Sequence, residues 1–406
     1  MKVLVLNAGS SSQKSCLYDL SNQALPDIAP HPLWEAEIDW THQKGKAELK
    51  VKTRKGKSKT SFDSQSRRAD TLEMLKTLWG GENPVIHNPQ EIDIVGHRVV
   101  HGGDEYRQST FVTSELKAAI ARLSTFAPIH NPVNLEGIES IEEILGDIPQ
   151  VAVFDTAFHS HLTPAAYTYP IPYKFLQQGI RRYGFHGISH EYCARRAAQI
   201  LGCDLKELRL ITCHLGNGCS LAAIRDGYSV DTTMGFTPLE GLMMGSRSGS
   251  VDPGILLHLL RHENYTADEL DNLLNRESGL LGISGLSGDL RPILSAAEEG
   301  EAQAKLALDI YIHRLRSCIG SMLASLSGLD AIIFTAGAGE NSPLIRAATC
   351  EGFEFLGWKI DAQKNESSPI DIDIAAPEST VRILPIHTQE DWAIAQACWQ
   401  LSSSDG

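Results

Sequence analysis

The sequence predicts an α/β protein built from two related domains. Residues 2–20 contain a short apolar run, a turn rich in glycine and serine, and a second run that returns as a strand. Residues 210–224 repeat this order around another glycine-rich turn, and 406 residues are enough for two domains. We therefore expect a duplicated domain in which each copy offers one glycine-rich hairpin to a phosphate chain. Hairpins with such turns are common, so coincidence remains the alternative.

The composition is that of a globular protein without a targeting or membrane segment. Apolar residues make up 42% of the chain, and no apolar stretch reaches the roughly 18 residues that a membrane span needs. The 8 cysteines show no CxxC pair or zinc spacing, which is typical of reduced packing residues. A net charge of −14 argues against nucleic-acid binding. These features predict a cytoplasmic location and no nucleic-acid or membrane partner.

The first glycine-rich turn has the composition of a phosphate loop. Gly9 and the hydroxyls of residues 10–12 follow the first strand, and Lys14 lies two residues further on. Small residues expose backbone N–H groups to an anion, and the lysine supplies positive charge. The Walker pattern is absent, and an ordinary hairpin turn would have the same composition.

Residues 21–90 carry no strong motif. After a proline-rich segment at 21–32, strands are predicted at 35–38 and 47–53, and a short helix at 70–79. Eight basic residues fall between positions 44 and 59. We interpret them as a solvated hairpin edge protected by lysines, with a partner-binding site as the alternative.

Arg98 lies near the end of a predicted strand at 91–100. A buried arginine is costly unless it is paired with an anion, so Arg98 is a candidate clamp for a carboxylate or phosphoryl group. A structural ion pair would explain it equally well. Helices are predicted at 113–127 and 134–145, with a proline-containing break between them.

Asp155 and His186 are candidate catalytic residues. Asp155 directly follows an apolar strand, and the carboxyl ends of strands are where open α/β sheets place metal and catalytic groups. His186 is bracketed by Gly184 and Gly187, which could hold it over a substrate. A packed core histidine is the alternative for His186.

Arg247 stands in the densest glycine-rich stretch of the chain, residues 231–254. Phosphoryl transfer commonly uses an arginine to stabilise the oxygens of the transferred group, so we interpret Arg247 as functional. The remaining predicted elements are a glycine-rich connector at 279–288, a helix at 301–328 with apolar Leu306, a strand at 330–335 before a glycine-rich segment at 336–342, a strand at 382–386, and a helix from 390.

Taken together, these stretches resemble the acetate kinase family. The matching motifs run in family order from Asn7 to Asp391: LNAGSSSQK, VGHRVVHGG, FDTAFH, RRYGFHGISH, HLGNGCS, TTMGFTPLEGLMMGSRSGS, SGDLR, FTAGAGEN and TQED. Each motif alone would be weak, whereas the set is specific.

The resemblance implies a fold and a reaction. The fold is a pair of duplicated actin-like ATPase domains with ribonuclease H-like mixed sheets and a nucleotide cleft between them. The domains would span 1–156, completed by a terminal helix at 388–406, and 157–387. The reaction is reversible transfer of the ATP γ-phosphoryl group to acetate, with Mg²⁺ or Mn²⁺, in a homodimer. A propionate or butyrate kinase, and an ATP-driven conformational switch without transfer, are the alternatives.

The resemblance also implies roles for individual residues. Asp155, His186 and Arg247 would be catalytic, and Arg98 would bind the substrate carboxylate. The alkyl group would lie against Val100, Ile129, Phe185 and Pro238, and Asn7 and Glu390 would hold the metal. The nucleotide would be bound by Lys14, His214, Leu215, Gly216, Asn217, Gly218, Asp289, Leu290, Arg291, Gly337, Ala338, Gly339, Glu340 and Asn341.

Overall fold

A computed structural model describes residues 1–9, 12–20, 25–26, 28–41, 43, 45–367 and 369–404. Predictions that concern Ser10, Ser11, Lys44, parts of the 21–32 segment and the last two residues of the terminal helix lie outside this range. No helix within the described ranges is long and apolar enough to cross a membrane.

The described residues form thirteen strands and fifteen α-helices. The strands are β1 Lys2–Ala8, β2 Ser12–Asp19, β3 Trp34–Asp39, β4 Lys46–Thr53, β5 Gly56–Asp63, β6 Ile94–Val99, β7 Thr110–Phe111, β8 Gln150–Phe154, β9 Leu210–Leu215, β10 Cys219–Arg225, β11 Tyr228–Thr232, β12 Ala331–Thr335 and β13 Arg382–Pro385. The helices are α1 Arg67–Trp79, α2 Ser114–Leu123, α3 Asn131–Leu145, α4 Pro164–Tyr167, α5 Lys174–Gln177, α6 Gly187–Leu201, α7 Pro253–His262, α8 Ala267–Arg276, α9 Gly279–Ser284, α10 Leu290–Glu298, α11 Ala302–Leu326, α12 Ala336–Asn341, α13 Pro343–Glu351, α14 Ala362–Glu366 and α15 Glu390–Ser404.

The chain divides into two compact units. Unit 1 comprises residues 1–157 and the segment from 389 onward, and unit 2 comprises residues 158–388. These boundaries fall one residue from those that the family resemblance implies. The terminal segment returns to unit 1, where α15 packs against β1, β6 and β8.

One sheet topology occurs in both units. In unit 1, β3, β2 and β1 are antiparallel neighbours, and β1, β6 and β8 are parallel. In unit 2, β11, β10 and β9 are antiparallel, and β9, β12 and β13 are parallel. Unit 1 adds β4 and β5 at one edge and β7 at the other. The predicted duplicated α/β fold is confirmed.

The central strands are buried on both faces because helices cover both sides of each sheet. In β1, Val3, Leu4 and Val5 are fully buried, as continuous apolar runs of parallel strands usually are. α15 contacts this part of the sheet, and α1 and α3 pack on unit 1 as well. In unit 2, α6, α11 and α12 contact β9. Strand ends are therefore the places where polar side chains can reach solvent.

Several sequence predictions were wrong in detail. The predicted connector at 279–288 contains the helix α9, and the apolar Leu306 of α11 is 52% exposed. His214 and Leu215, predicted in the turn, extend β9, because His214 pairs with Thr335 of β12.

The helix predicted from 134 begins at Asn131. Pro132, which was predicted to lie in a break between two helices, lies instead in the first turn of α3. A proline is tolerated there because backbone N–H groups in the first turn have no acceptor within the helix.

Three lysines of the basic hairpin are paired with carboxylates. Lys52 contacts Glu35 at 2.8 Å, and Lys59 contacts Glu48 at 2.9 Å. Lys50 lies 3.5 Å from both Glu37 and Glu48. This cross-strand pattern on β3, β4 and β5 favours the interpretation as a protected sheet edge.

Gly96 of β6 marks the closest approach of α15 to the sheet. A Cβ atom there would lie 2.5 Å from Ile394 Cγ2 and 2.6 Å from Cys398 Sγ. We expect Gly96→Ala to lower the free energy of unfolding by about 1–3 kcal/mol, because overpacking forces the helix away from the strand. Urea unfolding followed by tryptophan fluorescence would measure this.

Gly137→Ala in α3 is the matched control. No atom lies within 4 Å of a Cβ built at Gly137, so the change should stabilise the protein by roughly 0.5–1 kcal/mol through helix propensity. Equal effects of the two substitutions would contradict the tight packing of α15 on β6.

Candidate active site

Each unit gathers polar side chains at the carboxyl ends of its central strands. The unit-1 cluster consists of Asn7, Arg98, Asp155, Glu390 and Asp391. The unit-2 cluster consists of His186, His190, His214, Ser220 and Arg247. The residues predicted to be catalytic therefore fall into two groups, with Asp155 in unit 1 and His186 and Arg247 in unit 2.

Arg98 and Asp155 form a bidentate ion pair on neighbouring strands. Arg98 Nε donates to Asp155 Oδ1 at 3.0 Å, and Nη2 donates to Oδ2 at 2.5 Å. The Asp155 side chain is only 2% exposed. Burial by itself lowers the pKa of Arg98, but the Asp155 carboxylate more than compensates, so that the pKa lies above its usual range. The pair is thus charged, and Asp155 holds the guanidinium in one orientation.

Asn7 links this pair to the acidic start of α15. Its Nδ2 donates to Glu390 Oε2 at 3.3 Å and to Asp391 Oδ1 at 3.0 Å. Its Oδ1 accepts from Arg98 Nη1 at 3.4 Å. The sequence indicates that the acidic start of the last helix, Glu390 and Asp391, could contact a metal, whereas the family resemblance implies that role for Glu390 alone of the two. Burial and the nearby Glu390 raise the pKa of Asp391 above its usual value.

The oxygen atoms of the unit-1 cluster fit a magnesium ion. Mg²⁺ prefers oxygen ligands and is usually held by one or two carboxylates, with water and substrate phosphates completing its shell. Glu390 and Asp391 supply carboxylate oxygens beside Asn7, whose own Oδ1 accepts from Arg98 Nη1. Lys14 of β2 lies opposite Asn7 in the sheet register. Within the described ranges, no set of three or more His, Cys, Asp or Glu side chains could hold a metal by itself.

His186 stands where α6 begins, in a strained conformation. Its φ of 58° lies in the left-handed region, which residues other than glycine rarely adopt. His186 Nδ1 lies 2.8 Å from Ser220 Oγ, and its ring stacks on His214 with centroids 4.2 Å apart. A Cβ on Gly218 would lie 3.3 Å from His186 Nε2 and 3.6 Å from Arg247 Nη1. The glycine therefore lets an imidazole and a guanidinium converge on one stretch of backbone.

The loop that carries Arg247 packs directly on the glycine-rich hairpin. Gly245 N donates to Asn217 O at 3.0 Å, and a Cβ on Gly245 would lie 2.8 Å from Gly288 O. Arg247 Nη1 donates to Pro238 O at 2.9 Å. Three glycine-containing segments of unit 2 thus meet backbone to backbone around Arg247.

The predicted nucleotide residues occupy three places in unit 2. His214, Leu215, Gly216, Asn217 and Gly218 form the end of β9 and the turn after it. Asp289, Leu290 and Arg291 open α10, where Asp289 Oδ1 accepts from the Arg291 backbone N at 2.9 Å. The third group, Gly337, Ala338, Gly339, Glu340 and Asn341, belongs to α12.

Glu340 is already engaged within unit 2. Its Oε1 accepts from the backbone N of Ala336 at 2.8 Å and of Thr388 at 3.1 Å, and its Oε2 lies 2.7 Å from His387 Nδ1. Burial raises the pKa of Glu340, but these hydrogen bonds outweigh burial and leave the pKa below its usual value. Glu340 therefore fixes α12 against the end of β13.

The residues predicted to form the apolar pocket are shared by the two units. Val100 and Ile129 belong to unit 1, where Val100 is 3% exposed and its N donates to Asn134 Oδ1 at 3.1 Å. Phe185 and Pro238 belong to unit 2, where Phe185 is 1% exposed and immediately precedes His186. Pro238 lies beside the polar cluster of unit 2, since its carbonyl oxygen accepts from Arg247 Nη1.

These observations define a class of protein. A repeated mixed-sheet topology, with a glycine-rich hairpin and polar strand ends in each copy, is that of phosphotransferases with the actin-like ATPase fold. The sequence matches the Acetokinase family over residues 2–396, and the chain belongs to that family.

Relatives and solved structures cover nearly the whole chain. An acetate kinase of Gloeobacter violaceus is 66% identical over 98% of this chain and 99% of its own length. One from a Cyanothece strain is 65% identical over 99% of this chain and 98% of its own length. The crystal structure of Porphyromonas gingivalis acetate kinase is similar with a TM-score of 0.90 and 39% identity, covering 99% of both chains. A Francisella tularensis propionate kinase has a TM-score of 0.89 and 37% identity, covering 98% of this chain and 99% of its own.

Buried histidines make the stability of the fold sensitive to acid. Burial lowers the pKa of His97 and of His159 to about 4 and lowers that of His190 well below its usual value. The unfolded chain therefore binds more protons than the folded chain between about pH 6.5 and pH 4. The stability that these three neutral histidines contribute is therefore complete above about pH 6.5 and is lost as the pH falls from there toward 4.

We expect the free energy of unfolding to fall by about 1.4 kcal/mol per pH unit for each such histidine. His97→Gln should reduce the slope of the unfolding free energy against pH by about 1.4 kcal/mol per pH unit, because glutamine does not titrate. Glutamine can still form a hydrogen bond with Gln150, whose Oε1 lies 2.6 Å from His97 Nε2. Urea unfolding between about pH 7 and pH 5 measures the slope. Equal slopes for both proteins would contradict a neutral His97 in the fold.

Proposed function

We propose that this chain transfers the γ-phosphoryl group of ATP reversibly to acetate, giving acetyl phosphate and ADP. The observation that carries the proposal is the convergence of His186 and Arg247 on Gly218. The His186 imidazole can donate a hydrogen bond and the Arg247 guanidinium is positively charged, so both suit the oxygens of the phosphoryl group during its transfer. Positioned charges provide most of the catalysis in such reactions. The family and the acetate kinases among its relatives support acetate as the acceptor.

The acceptor needs no general base. A carboxylate has a reference pKa near 4 to 5, so it is already ionised and nucleophilic at about pH 7. Asp155 is engaged with Arg98, so we assign it the role of orienting the guanidinium. Three of the five N–H groups of Arg98 donate to Asp155 and Asn7, and we assign the other two, one on each terminal nitrogen, to the acetate carboxylate.

The remaining roles follow from the two clusters. Mg²⁺, for which Mn²⁺ could substitute, would be held by Asn7, Glu390 and Asp391 and would supply positive charge to the phosphate oxygens. Lys14 would add charge for the phosphates. In unit 2, the turn after β9, the start of α10 and α12 are assigned to the nucleotide. The alkyl group of the acid is assigned to Val100, Ile129, Phe185 and Pro238. A cytoplasmic location stays a prediction.

Propionate is the second candidate acceptor, favoured by the similarity to a propionate kinase. One methylene group in an apolar pocket changes transition-state binding by only about 1–3 kcal/mol. A conformational switch without transfer is not favoured, because a carboxylate clamp such as Arg98 has no use in it.

The test is acyl phosphate formation. Purified protein with Mg-ATP, hydroxylamine and acetate, propionate or butyrate should yield acyl hydroxamate, most of it with acetate. Arg247→Ala should lower kcat by roughly 10³-fold, because the charge that faces the phosphoryl oxygens is lost. Steady-state kinetics of hydroxamate formation measures both.

Arg276→Ala is the matched control, since Arg276 is exposed at the end of α8. Its kcat should equal that of the unmodified protein within about twofold. No hydroxamate with any acid, despite measurable ATP binding, would contradict the kinase proposal. A loss below about tenfold in Arg247→Ala would remove the assigned role of that residue.

We also propose that the protein is a homodimer, as the family resemblance implies, and that α7 lies in the interface. None of the residues of α7 is buried, although its sequence is PGILLHLLRH. Ile255, Leu257 and Leu260 are 51%, 48% and 41% exposed, and Val251 just before the helix is 39% exposed. Such a contiguous apolar surface commonly marks an interface.

Sedimentation velocity tests the interface. The unmodified protein should sediment as a dimer and Leu260→Glu as a monomer, because a carboxylate would be buried without a partner. Ile372→Glu, at a residue 50% exposed outside α7, should remain dimeric. A dimeric Leu260→Glu variant would place the interface elsewhere.

A further inference from the structure

A hydrogen-bonded chain of buried side chains lies behind His186. Thr212 Oγ1 is 2.7 Å from His190 Nδ1, and His190 Nε2 is 2.8 Å from Ser220 Oγ. Ser220 Oγ is in turn 2.8 Å from His186 Nδ1. Thr212, His190 and Ser220 are all 0% exposed. The chain therefore connects Thr212 to His186 without passing through solvent.

His190 is neutral in this chain. Burial, together with the nearby His159 and His214, keeps its pKa well below the usual value. A neutral imidazole carries one N–H and one lone pair, and each hydroxyl has one O–H to donate. Every link must pair a donor with an acceptor, and among the described residues the buried Ser220 O–H has no acceptor except the two imidazoles. A neutral His186 therefore leaves the chain only two consistent directions.

The two directions give opposite tautomers of His186. If Thr212 donates to the Ala222 carbonyl oxygen, His190 donates from Nδ1, Ser220 donates to His190, and His186 must donate from Nδ1. If Thr212 donates to His190 Nδ1, every link reverses, and His186 accepts at Nδ1 and carries its proton on Nε2. The contact from Thr212 to Ala222 O is 3.5 Å, whereas that to His190 is 2.7 Å. The contact to His190 is a hydrogen bond in either direction, but 3.5 Å is too long for a good O–H···O bond, so the first direction would leave the buried Thr212 O–H poorly satisfied. This favours the second direction.

The second direction is also the one that phosphoryl transfer needs. His186 Nε2 is the ring nitrogen that lies beside Gly218 and Arg247. A lone pair at Nε2 would repel the anionic oxygens of a phosphoryl group, whereas an N–H donates a hydrogen bond to them. A carboxylate partner at Nδ1 would instead bind the proton there, as in hydrolase triads.

We propose that Thr212, His190 and Ser220 are positioning residues that hold His186 as the neutral tautomer with its proton on Nε2, facing the phosphoryl group. This inference rests on the proposed kinase function. Three successive hydrogen bonds connect Thr212 to His186. Thr212, His190 and Ser220 are buried behind His186 and do not touch the substrate themselves.

Thr212→Val and Thr212→Ser form the matched test. Valine keeps the branched shape of threonine in the buried strand β9 and removes the hydroxyl, while serine keeps the hydroxyl. We expect Thr212→Val to lower kcat about tenfold, the size of effect expected for one lost hydrogen bond, with both KM values within about twofold. Thr212→Ser should retain kcat within about threefold.

A double-mutant cycle separates positioning from general structural damage. In a His186→Ala background, Thr212→Val should lower kcat no further, because no imidazole remains to be oriented. A tenfold effect that persists in that background would overturn the proposal. Unchanged kcat in Thr212→Val alone would also overturn it.

Imidazole ¹⁵N NMR gives a readout that does not depend on activity. The signal of His186, assigned by its loss in His186→Ala, should show a protonated Nε2 and an unprotonated Nδ1 in the unmodified protein. Thr212→Val should shift the signal toward the opposite tautomer. A proton on Nδ1 in the unmodified protein would overturn the inference even if acyl phosphate is formed. An absence of acyl phosphate formation would instead overturn the proposed function.

Discussion

The buried ion pair between Arg98 and Asp155 is the interaction on which the unit-1 cluster depends. A charge at the end of a buried strand is tolerated only when it is paired, and removing one partner of such a pair typically costs about 3–5 kcal/mol. Because Asp155 occupies one edge of the guanidinium, it determines which N–H groups face outward. The same arginine orients Asn7, and Asn7 in turn donates hydrogen bonds to Glu390 and Asp391. In the proposed function, the group that would bind the acetate carboxylate and the groups that would hold the metal therefore belong to one hydrogen-bonded framework.

Hydroxyl groups contact the histidines of the unit-2 cluster. His186 and His190 contact hydroxyl groups through Nδ1, and so does His214, whose Nδ1 lies 2.8 Å from Ser189 Oγ. Burial keeps the pKa of His190 well below its usual value. Arg247 carries the permanent positive charge of this cluster, because a guanidinium is not deprotonated in proteins. In a protein with a net charge of −14, an anion site has to be created locally in this way.

The sequence predicted those features that apolar patterning and strand ends determine. Continuous apolar runs predicted the central strands correctly. As expected, Arg98 lies one residue before the end of β6, and Asp155 directly follows β8. Patterning could not reveal α9, because a short glycine-containing helix has the composition of a loop. It also missed Thr212 and Ser220, since a hydroxyl inside an apolar strand looks like an ordinary buried residue until its neighbours are known.

The duplicated topology explains where the functional groups lie but not their chemistry. β1 and β9 are equivalent strands, and their ends carry Asn7 in one unit and His214 in the other. Backbone geometry is shared because both sheets must bury the same central strands between helices. Side chains at the strand ends are free of that packing requirement, so one copy could acquire carboxylates, which suit a cation, and the other imidazoles and an arginine, which suit an anion. In the proposed function, the metal and the phosphoryl group would therefore be bound by different side chains near equivalent strand ends.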